Sequence, residues 1–68
     1  MNLSGKISYP IGESGSIKIR ITAMETLGES LKGTEGIGWT DEQGNYSFNM
    51  MDGIYLNEAL FTDEYVEL

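Results

Sequence analysis

The chain has 68 residues, no cysteine and no histidine. That leaves no disulfide to staple a fold, no thiolate nucleophile, and neither the commonest general base nor the commonest transition-metal ligand. The net charge is −7 and unevenly spread: Lys6, Lys18, Arg20 and Lys32 are the only basic residues, and eight acidic residues follow Lys32. An acidic chain cannot release counterions from phosphate, so no nucleic-acid partner is expected. Its surface reads either as a solvated acidic coat or as a face that docks on a basic partner.

Residues 1–68 read as one domain, whole or cut from a longer chain. Ordering this many residues costs on the order of 100 kcal/mol at roughly 1.5 kcal/mol each, which a small core barely offsets. Neighbouring chains are therefore expected to help. No apolar run approaches the roughly 18 residues of a membrane-spanning helix. Asn2 to Lys6 lack the apolar stretch of a signal peptide, so a protein made in the cytoplasm is expected.

Nine glycines at short intervals argue for short strands joined by turns. Leu3, Gly5, Ile7 and Tyr9 share one parity, which predicts a first strand over Asn2 to Tyr9; Pro10, Gly12 and Gly15 supply a loop. The clearest strand is Ser16 to Ala23, where Ile17, Ile19, Ile21 and Ala23 alternate with Ser16, Lys18, Arg20 and Thr22. Met24, Leu27 and Leu31 have helical spacing, but Gly28 and Gly33 oppose a helix, so this stretch reads as a loop into a strand around Gly36 to Thr40.

Thr40 to Asn45 predicts a turn, with Asp41 bonding the backbone and Gly44 tolerating positive φ. Tyr46, Phe48 and Met50 then alternate with Ser47 and Asn49. Asp52-Gly53 predicts a two-residue type I′ hairpin that pairs Met50 with Tyr55. On that pairing Tyr46, Phe48, Met50, Tyr55, Ala59 and Phe61 share a face. The opposite face still carries Met51, Ile54, Leu56 and Leu60, interrupted only by Glu58. A second apolar face demands either a bulge or a cover. The ending Asp63 to Leu68 reads as a strand, cut short, with Tyr65 out of step with its apolar residues.

Thr40-Asp41-Glu42-Gln43-Gly44-Asn45-Tyr46-Ser47-Phe48 followed by Asp52-Gly53-Ile54-Tyr55 resembles the T-D-x-x-G-x-Y/F-x-F…G-x-Y signature of prealbumin-like sandwiches, which include carboxypeptidase regulatory-like domains. Leu3-Ser4-Gly5-Lys6-Ile7 and Ile17-Lys18-Ile19 resemble the first two strands of the same modules. The closest resemblance is to the N-terminal domain of prophage tail-fibre and tail-spike proteins. Asp52 stands where members often have proline, and Asn57 where they place a small apolar residue. The resemblance implies an all-β, Ig-like or prealbumin-like antiparallel sandwich of six to seven strands. It also implies a homotrimer in the parent protein, phage tail or structural proteins as partners, and a place in the virion tail.

Candidate chemistry is sparse. Asp41 to Asn45 superficially resembles a calcium loop, but its glycine is fourth rather than sixth and no bidentate Glu follows at the twelfth position. A 68-residue sandwich has little volume for the paired carboxylates of a glycosidase. Lys6 has the parity that points outward, away from any core crosslink with an asparagine. Trp39 and the four tyrosines could stack on a sugar; the plainer reading puts Tyr46 and Tyr55 in the core and lets Trp39 close an edge of the sandwich. The expectation is a non-enzymatic attachment module without cofactor or metal, interacting through Trp39, Ile54, Leu56 and Leu60. The alternative is a glycan- or protein-binding module of a bacterial surface adhesin.

Overall fold

The computed structural model describes residues 1–8 and 15–68. Tyr9, Pro10 and Gly12, assigned above to the end of a strand and a loop, lie outside the described residues. The described residues form six strands: β1 (Asn2–Lys6), β2 (Lys18–Ala23), β3 (Glu35–Trp39), β4 (Asn45–Asn49), β5 (Tyr55–Phe61) and β6 (Glu64–Glu67). They form a small antiparallel β-sandwich, a β1-β4 pair facing a four-stranded sheet of order β3-β2-β5-β6. The described residues include no helix.

β2 is the centre of the larger sheet because its period of two is the least ambiguous in the chain. Ile19 and Ile21 are fully buried and Ala23 nearly so, while Lys18, Arg20 and Thr22 turn to the other side. Ile7, Ile17 and Ala59 complete the buried core, and Leu3, Tyr46, Phe48, Met50, Tyr55 and Phe61 pack around it. The ladder between β2 and β3 runs on past Trp39: Ile17 N–H donates to the Thr40 hydroxyl and Thr40 N–H to the Ile17 carbonyl, both at 2.9 Å. This satisfies a buried hydroxyl that would otherwise be costly.

Glycines set the spacing between sheets. Gly36 and Gly38 of β3 lie beneath Phe48 of β4 and Met50 just after it; a Cβ on Gly38 would sit 2.9 Å from Phe48 Cζ. On β1, Gly5 faces Tyr46 across the pair, and a Cβ there would come within 2.8 Å of the ring. Tyr46 and Phe48 meet edge to face with centroids 6.3 Å apart, a favoured aromatic geometry.

The turn after β3 forms as its residues predict. Asp41 Oδ1 accepts N–H bonds from Gln43 and Asn45, each 2.9 Å, and Oδ2 accepts from the Asn45 amide at 3.2 Å. The Asn45 N–H, first among these donors, holds the Asp41 carboxyl below its ordinary value. Gly44 takes φ +87°, and its carbonyl accepts Ile7 N–H at 3.0 Å.

The expected hairpin at Asp52-Gly53 does not form. Among the described residues β4 pairs only with β1, while β5 pairs with β2 and β6, and Gly53 lacks the positive φ of a type I′ turn. Residues 50–54 instead cross from one sheet to the other. Tyr55 holds this crossing: its hydroxyl donates to the Met51 carbonyl at 2.6 Å, so the Ser30 hydroxyl, 3.1 Å away, is its donor. The physical reason is β2, which gains a second ladder only if β5 leaves β4. The six residues assigned to a common face do share the core, but from two opposed sheets. The two-residue hairpin lies later, at Thr62-Asp63, where Phe61 pairs with Glu64 and Thr62 takes φ +58°.

Candidate docking face

The two sheets leave two outer faces of different character. The β1-β4 pair presents Asn2 opposite Asn49, Ser4 opposite Ser47 and Lys6 opposite Asn45. Lys6 therefore points outward, as its parity requires, and this face is short, polar and almost uncharged.

The outer face of the four-stranded sheet is amphipathic. Trp39 stands opposite Lys18, Ile37 opposite Arg20, Glu35 and Leu56 on either side of Thr22, and Tyr65 opposite Leu60. Trp39 is 62% exposed and Ile37 43%, whereas Leu56, Leu60 and Tyr65 are half-buried. Trp39 thus does not close the sandwich edge; it stands in solvent on an edge strand. Tyr46 and Tyr55 pack against the core, as the plainer reading had it.

An ion pair sits at the middle of this face. Arg20 Nε and Nη2 both donate to Glu58 Oε1, at 3.0 and 2.9 Å. The guanidinium carbon lies 3.7 Å from the centroid of the Tyr65 ring, within cation–π range. Arg20 thereby neutralises the strand-centre carboxylate that faces Glu67 directly across the β5-β6 ladder, where like charges repel. Glu58, which interrupts the apolar run in sequence, is thus absorbed by its cross-strand partner, and Leu56 and Leu60 flank a neutral pair.

Of the four expected interaction residues, the structure brings Trp39, Leu56 and Leu60 onto one face. Ile54, at 58% exposed nearly as open as Trp39, lies just before β5, where its carbonyl accepts Met24 N–H at 2.8 Å. Met51, grouped with them by parity, belongs to the crossing segment instead and is not on the sheet. Ile37, Arg20 and Tyr65 were missed. Their place depends on which strands flank β2 and β5, and a strand's own parity does not reveal that. No family model, curated protein or solved structure matches the chain. The face offers apolar area and one oriented charge pair. Among the described residues no group of three or more carboxylates gathers to hold a metal ion.

Proposed function

We propose that this chain is a non-enzymatic attachment module that docks on a partner through the outer face of its four-stranded sheet. The observation that carries the proposal is the combination of Trp39, Ile37, Leu56, Leu60 and Tyr65 on one uncovered side of a sandwich this small. Apolar side chains gathered on one sheet face, here on either side of Lys18, Arg20 and Thr22 of β2, mark interaction sites more often than they are left to water. The resemblance of Thr40 to Phe48 and of Asp52 to Tyr55 to prealbumin-like tail-fibre and tail-spike domains gives the setting: a virion tail, with three copies around an axis and phage structural proteins as neighbours. In that setting the acidic surface beyond Lys32 favours solubility before assembly.

Sedimentation equilibrium tests the trimer. Three copies of a 7.5 kDa chain give about 22 kDa, expected to populate at about 100 μM; a mass that stays at that of one chain would overturn it. The exposed Trp39 ring favours one second reading, a sugar-stacking adhesin module. Retention on a glycan array that is lost in Trp39→Ala would select that reading over assembly.

A further inference from the structure

The larger sheet ends on two unlike edges. β6 carries Glu64 and Glu67 directly after Asp63, a charge run that opposes pairing with another copy of itself. β3, the other edge, reads Glu35-Gly36-Ile37-Gly38-Trp39 and has no charge past its first residue. Gly36 and Gly38 face inward beneath Phe48 and Met50. The side chains of this edge are therefore those of Glu35, Ile37 and Trp39, all exposed and all on the outer face.

The bonds at either end of β3 fix which of its backbone groups are already used. Thr40 N–H donates to the Ile17 carbonyl and Ala23 N–H to the Thr34 carbonyl, both at 2.9 Å. Both pairs continue the register that sets Lys18 opposite Trp39 and Thr22 opposite Glu35. An antiparallel ladder alternates, so Gly36 and Gly38 bond β2, while Glu35, Ile37 and Trp39 turn their N–H and C=O groups away from it. Among the described residues β3 pairs with β2 alone. The edge thus presents donors and acceptors in the order that a further strand requires.

We propose that this further strand is β3 of a second copy, paired antiparallel about a two-fold axis at Ile37. Ile37 then stands opposite Ile37 of the second copy, and Glu35 opposite its Trp39. Lys18 is the β2 neighbour of Trp39 on the same face, so each Glu35 lies two strands, about 10 Å, from the other copy's Lys18. Two long side chains reaching toward each other across the Trp39 ring span that gap. Parallel pairing would instead set Glu35 beside Glu35, with like charges directly opposite. Each copy carries −7, but in about 0.15 M salt the Debye length is about 8 Å, so charges near the contact decide. There the two Glu35–Lys18 pairs have the attractive sign. One strand edge buries far less than the roughly 1,200 Å² of a stable complex, so the pairing is weak, with a Kd of about 1 mM. Being two-fold, it cannot relate copies around a three-fold axis and so joins copies of separate assemblies. It uses the edge and does not rest on docking at the outer face.

Amide exchange followed by NMR on the full chain reads the edge itself. At about 1 mM chain the amide protons of Glu35, Ile37 and Trp39 are expected to exchange about twofold more slowly than at about 50 μM. Glu35→Lys and Lys18→Glu each place like charges at both contacts and are expected to abolish that dependence on concentration. An equal mixture of the two variants, at about 1 mM each, restores an opposite pair at both contacts, so the slowing is expected to return. Such rescue between copies sets this pairing apart from association through the outer face. Should either swap fail to fold, Ile37→Lys, which sets two ammonium groups against each other at the axis, decides the matter by the same loss. Exchange at these amides that ignores concentration, slowing that survives in any of the single variants, or a mixture that stays unprotected would each overturn the proposal.

Discussion

Replacing Gly44 with alanine probes the joint between the two sheets. Gly44 holds φ +87°, a region that costs an L-residue about 1–2 kcal/mol. The added Cβ would also fall inside the contact radius of the Ile7 carbonyl oxygen, a backbone atom that cannot swing aside. Relief requires the two segments to part, which breaks Ile7 N–H to Gly44 carbonyl (3.0 Å) and weakens Gly44 N–H to Asp41 carbonyl (3.1 Å). At about 1 kcal/mol for each bond, the total reaches about 3–4 kcal/mol. A domain of this size is stable by only about 3–10 kcal/mol, so the variant should be marginal or unfolded. Gly28→Ala is the matched control: φ is +58° and a Cβ there meets nothing within 4 Å, so only the conformational term of about 1 kcal/mol applies. Urea denaturation followed by Trp39 fluorescence gives both values on one scale. Equal losses in the two variants would refute the contact between Gly44 and Ile7.

Other substitutions test separate parts of the structure. Gly38→Ala should cost about 1–3 kcal/mol, because its Cβ meets the packed Phe48 ring at 2.9 Å, and more than Gly36→Ala, whose nearest neighbour is the flexible Met50 sulfur at 3.1 Å; the reverse order of midpoints would misplace β4. Thr62→Gly should raise stability by about 0.5–1 kcal/mol, since relief of a β-branched residue at φ +58° exceeds the added freedom of the unfolded chain. A lowered melting temperature would contradict the turn at Thr62-Asp63. The Asp41 carboxyl is held below its ordinary value by the backbone of Asn45. Its contribution is therefore full above the unfolded value of about 3.9 and is lost as pH falls through the lower folded value. Asp41→Asn should flatten that part of the acid profile, and an unchanged profile would remove Asp41 from the turn.

Several features of this fold are legible in the residues alone. Period two in Ile17 to Ala23 is enough to place the central strand and its buried face, and Asp41 with Gly44 announces the turn between sheets. Parity alone also turns Leu56 and Leu60 away from the core. What local pattern cannot supply is the partner of each strand. Asp52-Gly53 has the composition of a hairpin turn, yet the pairing of β5 with β2 decides otherwise. The true hairpin at Thr62-Asp63 is hidden because threonine rarely accepts positive φ. Arg20, Tyr65 and Ile37 join the docking face through cross-strand register, so only the assembled sheet shows that Glu58 is neutralised rather than exposed.

The central claim is that the outer face of the four-stranded sheet serves a partner and not the chain's own core. The direct test sets Leu56→Asp and Leu60→Asp beside the unaltered chain, measuring association by sedimentation equilibrium and folding by urea midpoint in the same samples. Both side chains are half-buried on the side away from Ile19 and Ile21. The account predicts that association weakens by about tenfold or more while stability falls by no more than about 1 kcal/mol. If either variant unfolds as a monomer, or associates as tightly as before, the face is not a docking surface.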